Sequence, residues 1–242
     1  MKKIVFIIFL SISLSACKDA CDCFKGTGDV VTEIRSVSEI KSVDLGNNVD
    51  LVIHYDSVPK MRVTAGSHLL GKISTENENG VLKIRNTNKC NWVRNFDPVL
   101  IVDLWVPTLS GIYIENASGD VTFSDTLSVS DFRLDSFSST GNYQLKLKQG
   151  TATLAIHNGP ADLTAEGEIG NLYLYGVGYG KMDCLKLKTA NAYINNKGTN
   201  GFYVNPTDIL EATINGSGNV YYTGNPSTIK KTETASGKLI HL

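Results

Sequence analysis

The sequence predicts an all-β fold, a parallel β-helix-like solenoid whose coils repeat about every 20 residues. Three observations support this prediction. A short strand motif with apolar outer positions recurs at a fixed spacing between Ile112 and Ile214. Glycine, asparagine and serine cluster between the copies, and helical periodicity is nearly absent. Period-two strands inside a long fixed period are typical of stacked coils.

The repeat begins at Ile112-Tyr113-Ile114 and advances in steps of twenty residues. Five further copies keep the pattern: Phe132-Arg133-Leu134, Ala152-Thr153-Leu154, Leu172-Tyr173-Leu174, Ala192-Tyr193-Ile194 and Ala212-Thr213-Ile214. A seventh, Thr232-Glu233-Thr234, loses it. Because alternate side chains of a strand face opposite sides, the last residues of the six copies are predicted to form one inward column, about 4.8 Å apart.

Clusters such as Ser118-Gly119, Asn158-Gly159 and Gly216 to Gly218 are predicted to be the corners of the coils. A tight corner favours a positive φ, and stacked coils leave no space there for a Cβ atom. About three short strands fit between successive corners. A β-sandwich with hairpins every ~10 residues is the alternative, but it would not keep a twenty-residue register.

Residues 30–107 are less regular than residues 108–242. They contain strand-like runs such as "SVDLGNNVDLVI", and the polar stretch "NTNKCNWVRNFD" interrupts their spacing. We interpret residues 30–242 as a single domain with 30–107 as its irregular first coils. A separate small β-domain within 30–107 is the alternative.

The N-terminus "MKKIVFIIFLSISLSAC" has the layout of a signal peptide, with Lys2 and Lys3 before a short apolar run. Its end, Leu14-Ser15-Ala16-Cys17, resembles the lipobox of bacterial lipoproteins. The resemblance implies cleavage after residue 16 and lipidation of Cys17, with residues 17–29 as a tether to the membrane. An ordinary secretory signal is the alternative.

Lys18 follows Cys17 where an inner-membrane retention signal would have Asp, and "CKDACD" resembles a surface-export signal of lipoproteins. The predicted location is therefore the outer membrane, lipid-anchored and exposed at the cell surface, with a periplasm-facing orientation as the alternative. Removing residues 1–16 removes two lysines and no acid, so the net charge falls from −1 to −3. Without a basic excess, a nucleic-acid partner is not expected.

An exported chain matures in an oxidising compartment, so its remaining cysteines are disulfide candidates. The preferred pair is Cys23–Cys90, since Phe24 and Trp92 supply aromatic rings that could cover the bond. Cys184 lies in a strand and is expected to be buried, while the role of Cys21 stays open. Zinc is the alternative, but Cys21-x-Cys23 lacks ligand spacing and no histidine is near. No metal or cofactor is expected.

The chain resembles the GIN-domain head of autotransporter-type adhesins, which also occurs in small bacterial surface lipoproteins. The resemblance rests on "SVDLGNNVDLVI", "RVTAGSHLLGKISTENENGVLKI", "CNWVR", "LWVPTLSGIYIENASGDV" and "INGSGNVYYTGNPSTI". It covers about residues 30–240. It implies a β-solenoid with an adhesive or binding role and no catalytic residues. No translocator barrel follows the head, so the lipid would have to provide the anchor.

The search for reaction chemistry finds no nucleophile, phosphate-binding or metalloprotease motif, and the four histidines are scattered. A non-catalytic binding module for a glycan or another surface polymer or protein is therefore the leading hypothesis. Tyr173, Tyr175 and Tyr193 are its candidate ligand-binding residues, because they share one predicted outward face. Alternatively, these rings only stabilise neighbouring strands. Two further hypotheses are a structural subunit of the outer-membrane surface and a polysaccharide-active β-helix enzyme.

Overall fold

The computed structural model describes residues 26–89 and 98–242, which form nineteen β-strands and one 3-10 turn at Leu70–Lys72. All nineteen strands belong to one continuous hydrogen-bonded sheet. The strands are β1 (Val30–Arg35), β2 (Ser42–Asn47), β3 (Asp50–Tyr55), β4 (Lys60–Gly66), β5 (Ile73–Glu78), β6 (Val81–Asn86), β7 (Leu100–Val106), β8 (Gly111–Ala117), β9 (Val121–Phe123), β10 (Leu127–Ser128), β11 (Asp131–Phe137), β12 (Asn142–Lys148), β13 (Thr151–Ile156), β14 (Asp162–Gly176), β15 (Met182–Asn196), β16 (Phe202–Ile214), β17 (Val220–Tyr222), β18 (Thr228–Glu233) and β19 (Leu239–His241).

The sheet winds into a solenoid of about seven turns, which confirms the predicted fold class. The first wall, in spatial order, is β6, β2, β8, β11, β13, the second halves of β14, β15 and β16, and then β18. The second wall is β7, β3, β9, β12, the first halves of β14, β15 and β16, and then β17 and β19. Neighbours within both walls are parallel.

The twenty-residue register holds in the middle of the solenoid. Leu134 pairs with Leu154, Leu154 with Leu174, and Leu174 with Ile194. All four side chains are buried. Their alternation with exposed neighbours follows from the period of two along a strand, so the central part of the predicted inward column is confirmed.

The predicted column is wrong at both of its ends. Ile114 pairs with Ser136 rather than Leu134, and Ile214 pairs with Asn196 rather than Ile194. The coil after β8 is longer than twenty residues and the coil before β16 is shorter. Both register shifts are by an even number of residues, so every inward residue remains inward. The polar residues Ser136 and Asn196 therefore face the core.

Both of these buried polar side chains are hydrogen-bonded. The hydroxyl groups of Ser136 and Tyr143 are 3.0 Å apart. The Asn196 amide donates to the carbonyl oxygens of Asn200 and Gly218, each at 3.1 Å, and its Oδ1 accepts from the Gly198 N–H at 2.9 Å. These bonds offset the cost of removing the polar groups from water.

The coils of residues 30–107 do not stack in the order of the sequence. β2 lies between β6 and β8, and β3 lies between β7 and β9. The coil of β2 and β3 is thus enclosed by two coils that follow it in the chain. β5 adds to β6, and β4 and then β1 add to β7, all antiparallel. The irregular spacing that the sequence shows here reflects this interlaced arrangement.

Charged residues occupy the inward positions of the outermost strand at this end. Arg35 and Glu33 pair with the buried residues Met61 and Val63 of β4. The Arg35 guanidinium donates to the carbonyl oxygens of Ile73, at 2.5 Å, and Leu70, at 3.2 Å, and pairs with Glu33 at 3.1 Å. Inward-pointing charges protect a sheet edge from unwanted pairing.

The other end of the solenoid also carries charged residues at inward positions. β18 pairs with β16 at a spacing of nineteen, so Lys231 and Glu233 follow Ile229 at the inward positions of the last coil, where a strict step of twenty predicts Thr232 and Thr234. The Glu233 carboxylate lies 3.2 Å from the ammonium groups of both Lys231 and Lys238, and it accepts the Leu239 N–H at 3.0 Å.

Stacked glycines form one corner of the coils, as the sequence predicts. A Cβ atom on Gly178 would lie 2.2 Å from the carbonyl oxygen of Gly159, and one on Gly198 would lie 2.5 Å from that of Gly178. On Gly216 it would lie 2.1 Å from the oxygen of Gly198. Real Cβ atoms do not approach an oxygen this closely, so only glycine fits this stack.

Cys184 is buried and makes no disulfide with any residue that the structure describes. Its burial raises the pKa of the thiol far above its ordinary value, and a nearby Asp183 acts in the same direction. Cys17, Cys21, Cys23 and Cys90 lie outside the described residues, so lipidation and the Cys23–Cys90 bond stay predictions. Within 26–89 and 98–242, no helix is long and apolar enough to cross a membrane.

Candidate functional site

The three tyrosines proposed from the sequence lie together on the outer surface of the first wall. Tyr173 and Tyr193 pair across β14 and β15, and their rings stack at 4.8 Å with an interplanar angle of 14°. Tyr175 lies two residues after Tyr173 and pairs with Asn195. The Lys197 ammonium lies 5.6 Å from the centre of the Tyr175 ring.

The stacking limits what Tyr173 and Tyr193 offer to a ligand. Each ring turns one face toward the other, so these two faces are closed to a ligand, although Tyr173 is 42% exposed. A stacked aromatic pair contributes about 0.5–1.5 kcal/mol beyond its buried area. The geometry therefore gives this pair a stabilising role in the sheet.

A longer aromatic row, consisting of Tyr113, Phe137, His157 and Tyr175, crosses the same wall. Ring centres lie 5.3 Å apart for Tyr113 and Phe137, 4.1 Å for Phe137 and His157, and 5.3 Å for His157 and Tyr175. Sequence reasoning missed this row because its members do not share one position of the repeat. The spacings from Tyr113 to Phe137 and from His157 to Tyr175 are not multiples of twenty.

A hollow of about 220 Å³ lies beside Tyr113, at the end of the aromatic row. Gly111, Arg133 and Asp135 line it, together with the Ser42 and Ser110 region. A Cβ atom on Gly111 would lie 2.4 Å from the carbonyl oxygen of Arg133, so the position requires glycine. The missing side chain leaves the floor of the hollow open next to the 40% exposed ring of Tyr113.

A carboxylate with fixed partners forms one side of this hollow. The Asp135 carboxylate accepts two hydrogen bonds from the Arg133 guanidinium, one from Nη2 at 2.9 Å and one from Nε. It also accepts a hydrogen bond from His157 Nε2 at 2.7 Å. Burial raises the pKa of Asp135, but the hydrogen bonds from Arg133 and His157 lower it more, so that the net pKa lies below its ordinary value. The same bond raises the pKa of Arg133. At neutral pH both groups are charged and held in place.

The described residues contain no group of three or more His, Cys, Asp or Glu side chains able to hold a metal ion. The hollow on the first wall is lined by the Tyr113 ring, the Arg133–Asp135 pair and the residues Ser42 and Ser110. These groups suit recognition through stacking and hydrogen bonding.

Comparison with known families decides the classification. The family described as "Putative auto-transporter adhesin, head GIN domain" matches residues 40–226. This chain belongs to the GIN-domain family. The match spans most of the solenoid, including the interlaced first coils and the first wall with its aromatic row. It confirms the resemblance to GIN-domain heads that the sequence motifs indicate.

Several solved structures share the fold of this chain. A "putative adhesin" from Bacteroides fragilis NCTC 9343 superposes with a TM-score of 0.76, at 18% identity, over 88% of this chain and 97% of that one. A "putative lipid binding protein" from Parabacteroides distasonis ATCC 8503 gives 0.67, at 21% identity, over 90% and 98%. A "putative adhesin" from Parabacteroides merdae ATCC 43184 gives 0.66, at 18% identity, over 90% and 98%. No curated protein matches the chain.

Proposed function

We propose that this GIN-domain chain is a non-catalytic adhesion module, anchored in the outer membrane through lipid on Cys17 and exposed at the cell surface. The adhesin description of the family supports the binding role. The lipobox-like sequence ending at Cys17 supports the anchor, and "CKDACD" behind it supports surface export. An anchored solenoid presents its long outer walls to neighbouring molecules.

The ligand that the first wall fits best is a glycan. The observation that carries this proposal is the hollow between the exposed ring of Tyr113 and the Arg133–Asp135 pair. A sugar ring has apolar C–H faces that pack on an aromatic ring and hydroxyl groups that bond to a carboxylate or guanidinium. Because Asp135 and Arg133 are already fixed by each other and by His157, little side-chain entropy is lost on binding.

Glycan-array binding with matched variants tests this proposal. Tyr113→Ala and Asp135→Asn are expected to abolish or strongly reduce binding of the uncharged glycans that the wild type retains. Tyr203→Ala, which removes a similar ring from the second wall, is the control and should bind normally. Equal losses in all three variants, or no loss at Tyr113 and Asp135, would contradict the assignment.

Of the three candidate tyrosines, Tyr175 is the second part of the proposed surface, while Tyr173 and Tyr193 beside it support each other in the sheet. Tyr175 ends the aromatic row, so an extended glycan seated at Tyr113 would run along the row toward it. We expect Tyr175→Ala to weaken the binding of long glycans more than the binding of short ones. A similar loss for both lengths would place the ligand elsewhere.

The structural-subunit alternative has less support from the geometry. Stacking of one solenoid on another would need open strand edges, and the charged pairs Glu33–Arg35 and Lys231–Glu233 occupy the inward positions at the two ends. Burying such charges against another coil is costly. Sedimentation of the mature protein over a range of concentrations distinguishes a monomer from an assembling subunit.

A further inference from the structure

A second concave site lies on the second wall, away from the aromatic row. It is a groove of about 470 Å³ formed where β12, β14 and β15 run side by side. Its volume is in the range of small-molecule sites in proteins. Its uncharged lining is Gln144, Leu145, Thr164, Ala165 and Leu185, and its charged lining is Lys146, Lys186, Glu166 and Asp183.

A β-bulge in β15 shapes the groove. Thr164 pairs with Asp183 and Glu166 pairs with Lys186, so three steps along β15 match two along β14. On the other side, Asp183 pairs with Tyr203 and Lys188 with Asn205, so five steps along β15 match two along β16. The extra residues reverse the alternation of side chains. Cys184 stays buried, and the side chain of Leu185 is left partly exposed beside the groove. Bulges commonly occur where a strand must redirect a side chain.

Lysines outnumber acids on this part of the wall. Two rows cross the three strands: Lys146, Glu166 and Lys186 form one, and Lys148, Glu168 and Lys188 form the other. Each glutamate reaches a lysine in its row, Lys146 at 3.8 Å and Lys188 at 3.5 Å. Of the two remaining acids on this part of the wall, Asp183 is paired with Lys181 at 2.8 Å, and Asp162 accepts the backbone N–H of Lys181 at 2.7 Å.

Two cations are left without a carboxylate partner. Within the residues that the structure describes, neither Lys148 nor Lys186 has an oxygen of Asp or Glu within ion-pair distance, and Lys186 lines the groove. This local excess of positive charge stands on a chain whose net charge is −1. Rows of salt bridges that served only to stabilise the sheet would need no lysines beyond those paired with acids.

We propose that this groove binds an acidic saccharide, a sugar polymer that carries carboxylates. The lysines would meet the carboxylates, Gln144 and Thr164 would bond to hydroxyl groups, and Leu185 would contact an apolar face of a sugar ring. Adjacent strands are about 4.8 Å apart, so Lys146 and Lys186 offer cations about 10 Å apart along the wall. A linear polymer lying along the solenoid axis could meet both. This site is separate from the aromatic row, so either proposal can fail without the other.

Binding of an oligogalacturonate to the purified mature protein tests the inference, with the methyl-esterified oligomer as the neutral probe. The wild type should bind the carboxylated oligomer and should not bind the ester. Its affinity for the carboxylated oligomer should fall as added salt screens the charges. Lys146→Gln/Lys186→Gln should lower the affinity about tenfold or more. All four replaced lysines are on the surface, and thermal melting of each variant confirms that it is folded.

The matched control is Lys197→Gln/Lys230→Gln, which removes the same charge from the first wall and should leave the affinity unchanged. Three outcomes would overturn the proposal. The first is no binding by the wild type at low salt. The second is an equal loss in the control variant. The third is equally tight binding of single-stranded DNA of the same charge, which would show a site for any polyanion rather than for an acidic saccharide.

Discussion

Glu233 lies in register with the fully buried Ile214, so a carboxylate takes the next inward position at the end of the solenoid. Lys231 and Lys238 neutralise the carboxylate, and the Leu239 N–H bonds to it. These polar groups cap the core beside Ile214, while Ile229, earlier on the same strand and opposite Leu210, stays 45% exposed.

Glu233→Gln is expected to destabilise the protein at neutral pH. Its partners lower the pKa of Glu233 from its ordinary 4.5 to about 2, with the Leu239 N–H as the largest cause. Because the pKa is lower in the folded state, Glu233 adds to the free energy of unfolding above pH 4.5. This contribution is lost as the pH falls through about 2. Urea denaturation of both proteins at several pH values checks this. The difference between them should shrink from pH 4.5 downward, and a difference that stays constant to pH 2 would contradict the assignment.

Leu154→Asp should cost about 4 kcal/mol or more in the free energy of unfolding, because an unpaired carboxylate would replace a fully buried side chain. Thr153→Asp, one residue earlier and facing outward, should cost less than about 1 kcal/mol. Chemical denaturation measures both. Similar losses at the two positions would be incompatible with the in–out alternation of β13.

Gly178→Ala should destabilise by more than about 1 kcal/mol, since its Cβ atom would overlap the carbonyl oxygen of Gly159. Gly71→Ala provides the control, because a Cβ atom there meets no heavy atom within 4 Å. That change should be neutral or should stabilise by about 0.4–1 kcal/mol through the unfolded chain. Thermal melting of the two variants decides whether close stacking, rather than glycine content, matters at the corner.

A double-mutant cycle on Tyr173→Leu and Tyr193→Leu should give a coupling energy of about 0.5–1.5 kcal/mol in stability. Such a value would show that the two rings mainly support each other. Tyr179→Leu with Tyr193→Leu serves as the comparison, since no ring contact joins Tyr179 and Tyr193. A coupling near zero for Tyr173 and Tyr193 would return the pair to the ligand-binding surface.

Cys17→Ala should release the protein from the membrane fraction and leave the signal peptide uncleaved by the lipoprotein peptidase. The reason is that two or more acyl chains are needed for stable anchoring, and Cys17 is the proposed site for all of them. Fractionation of cells followed by mass measurement of the N-terminus checks both effects. Unchanged fractionation would refute the lipobox interpretation.

The sequence predicts the middle of the solenoid well because the repeat there is uniform. Leu134, Leu154, Leu174 and Ile194 follow one step of twenty, and each step corresponds to one coil. The shifts at Ile114 and Ile214 were not predictable from the apolar pattern, since an even shift keeps the same residues inward. The polar residues Ser136 and Asn196 are the only trace of them in the sequence.

The candidate sites were harder to predict than the fold. The stacked pair Tyr173 and Tyr193 follows directly from the repeat, but the aromatic row depends on the register shift between β8 and β11 and on a diagonal contact between His157 and Tyr175. The groove depends on the bulge in β15. Two adjacent apolar residues, Cys184 and Leu185, break the alternation of that strand and could have indicated it. The position of β2 between β6 and β8 joins segments far apart in the chain, which local patterns do not encode.

The interlaced first coils divide the molecule into a part of fixed size and a part whose length is free to vary. β2 and β3 have neighbours on both sides only after residue 123 has been synthesised, so this end must assemble as one unit with long-range contacts. From β11 onward each coil meets only the coils beside it. Deleting residues 151–170 would bring Leu134 opposite Leu174 and leave the walls continuous. Evolution could therefore lengthen or shorten the two walls by whole coils, while the end built from the interlaced coils keeps one constant design.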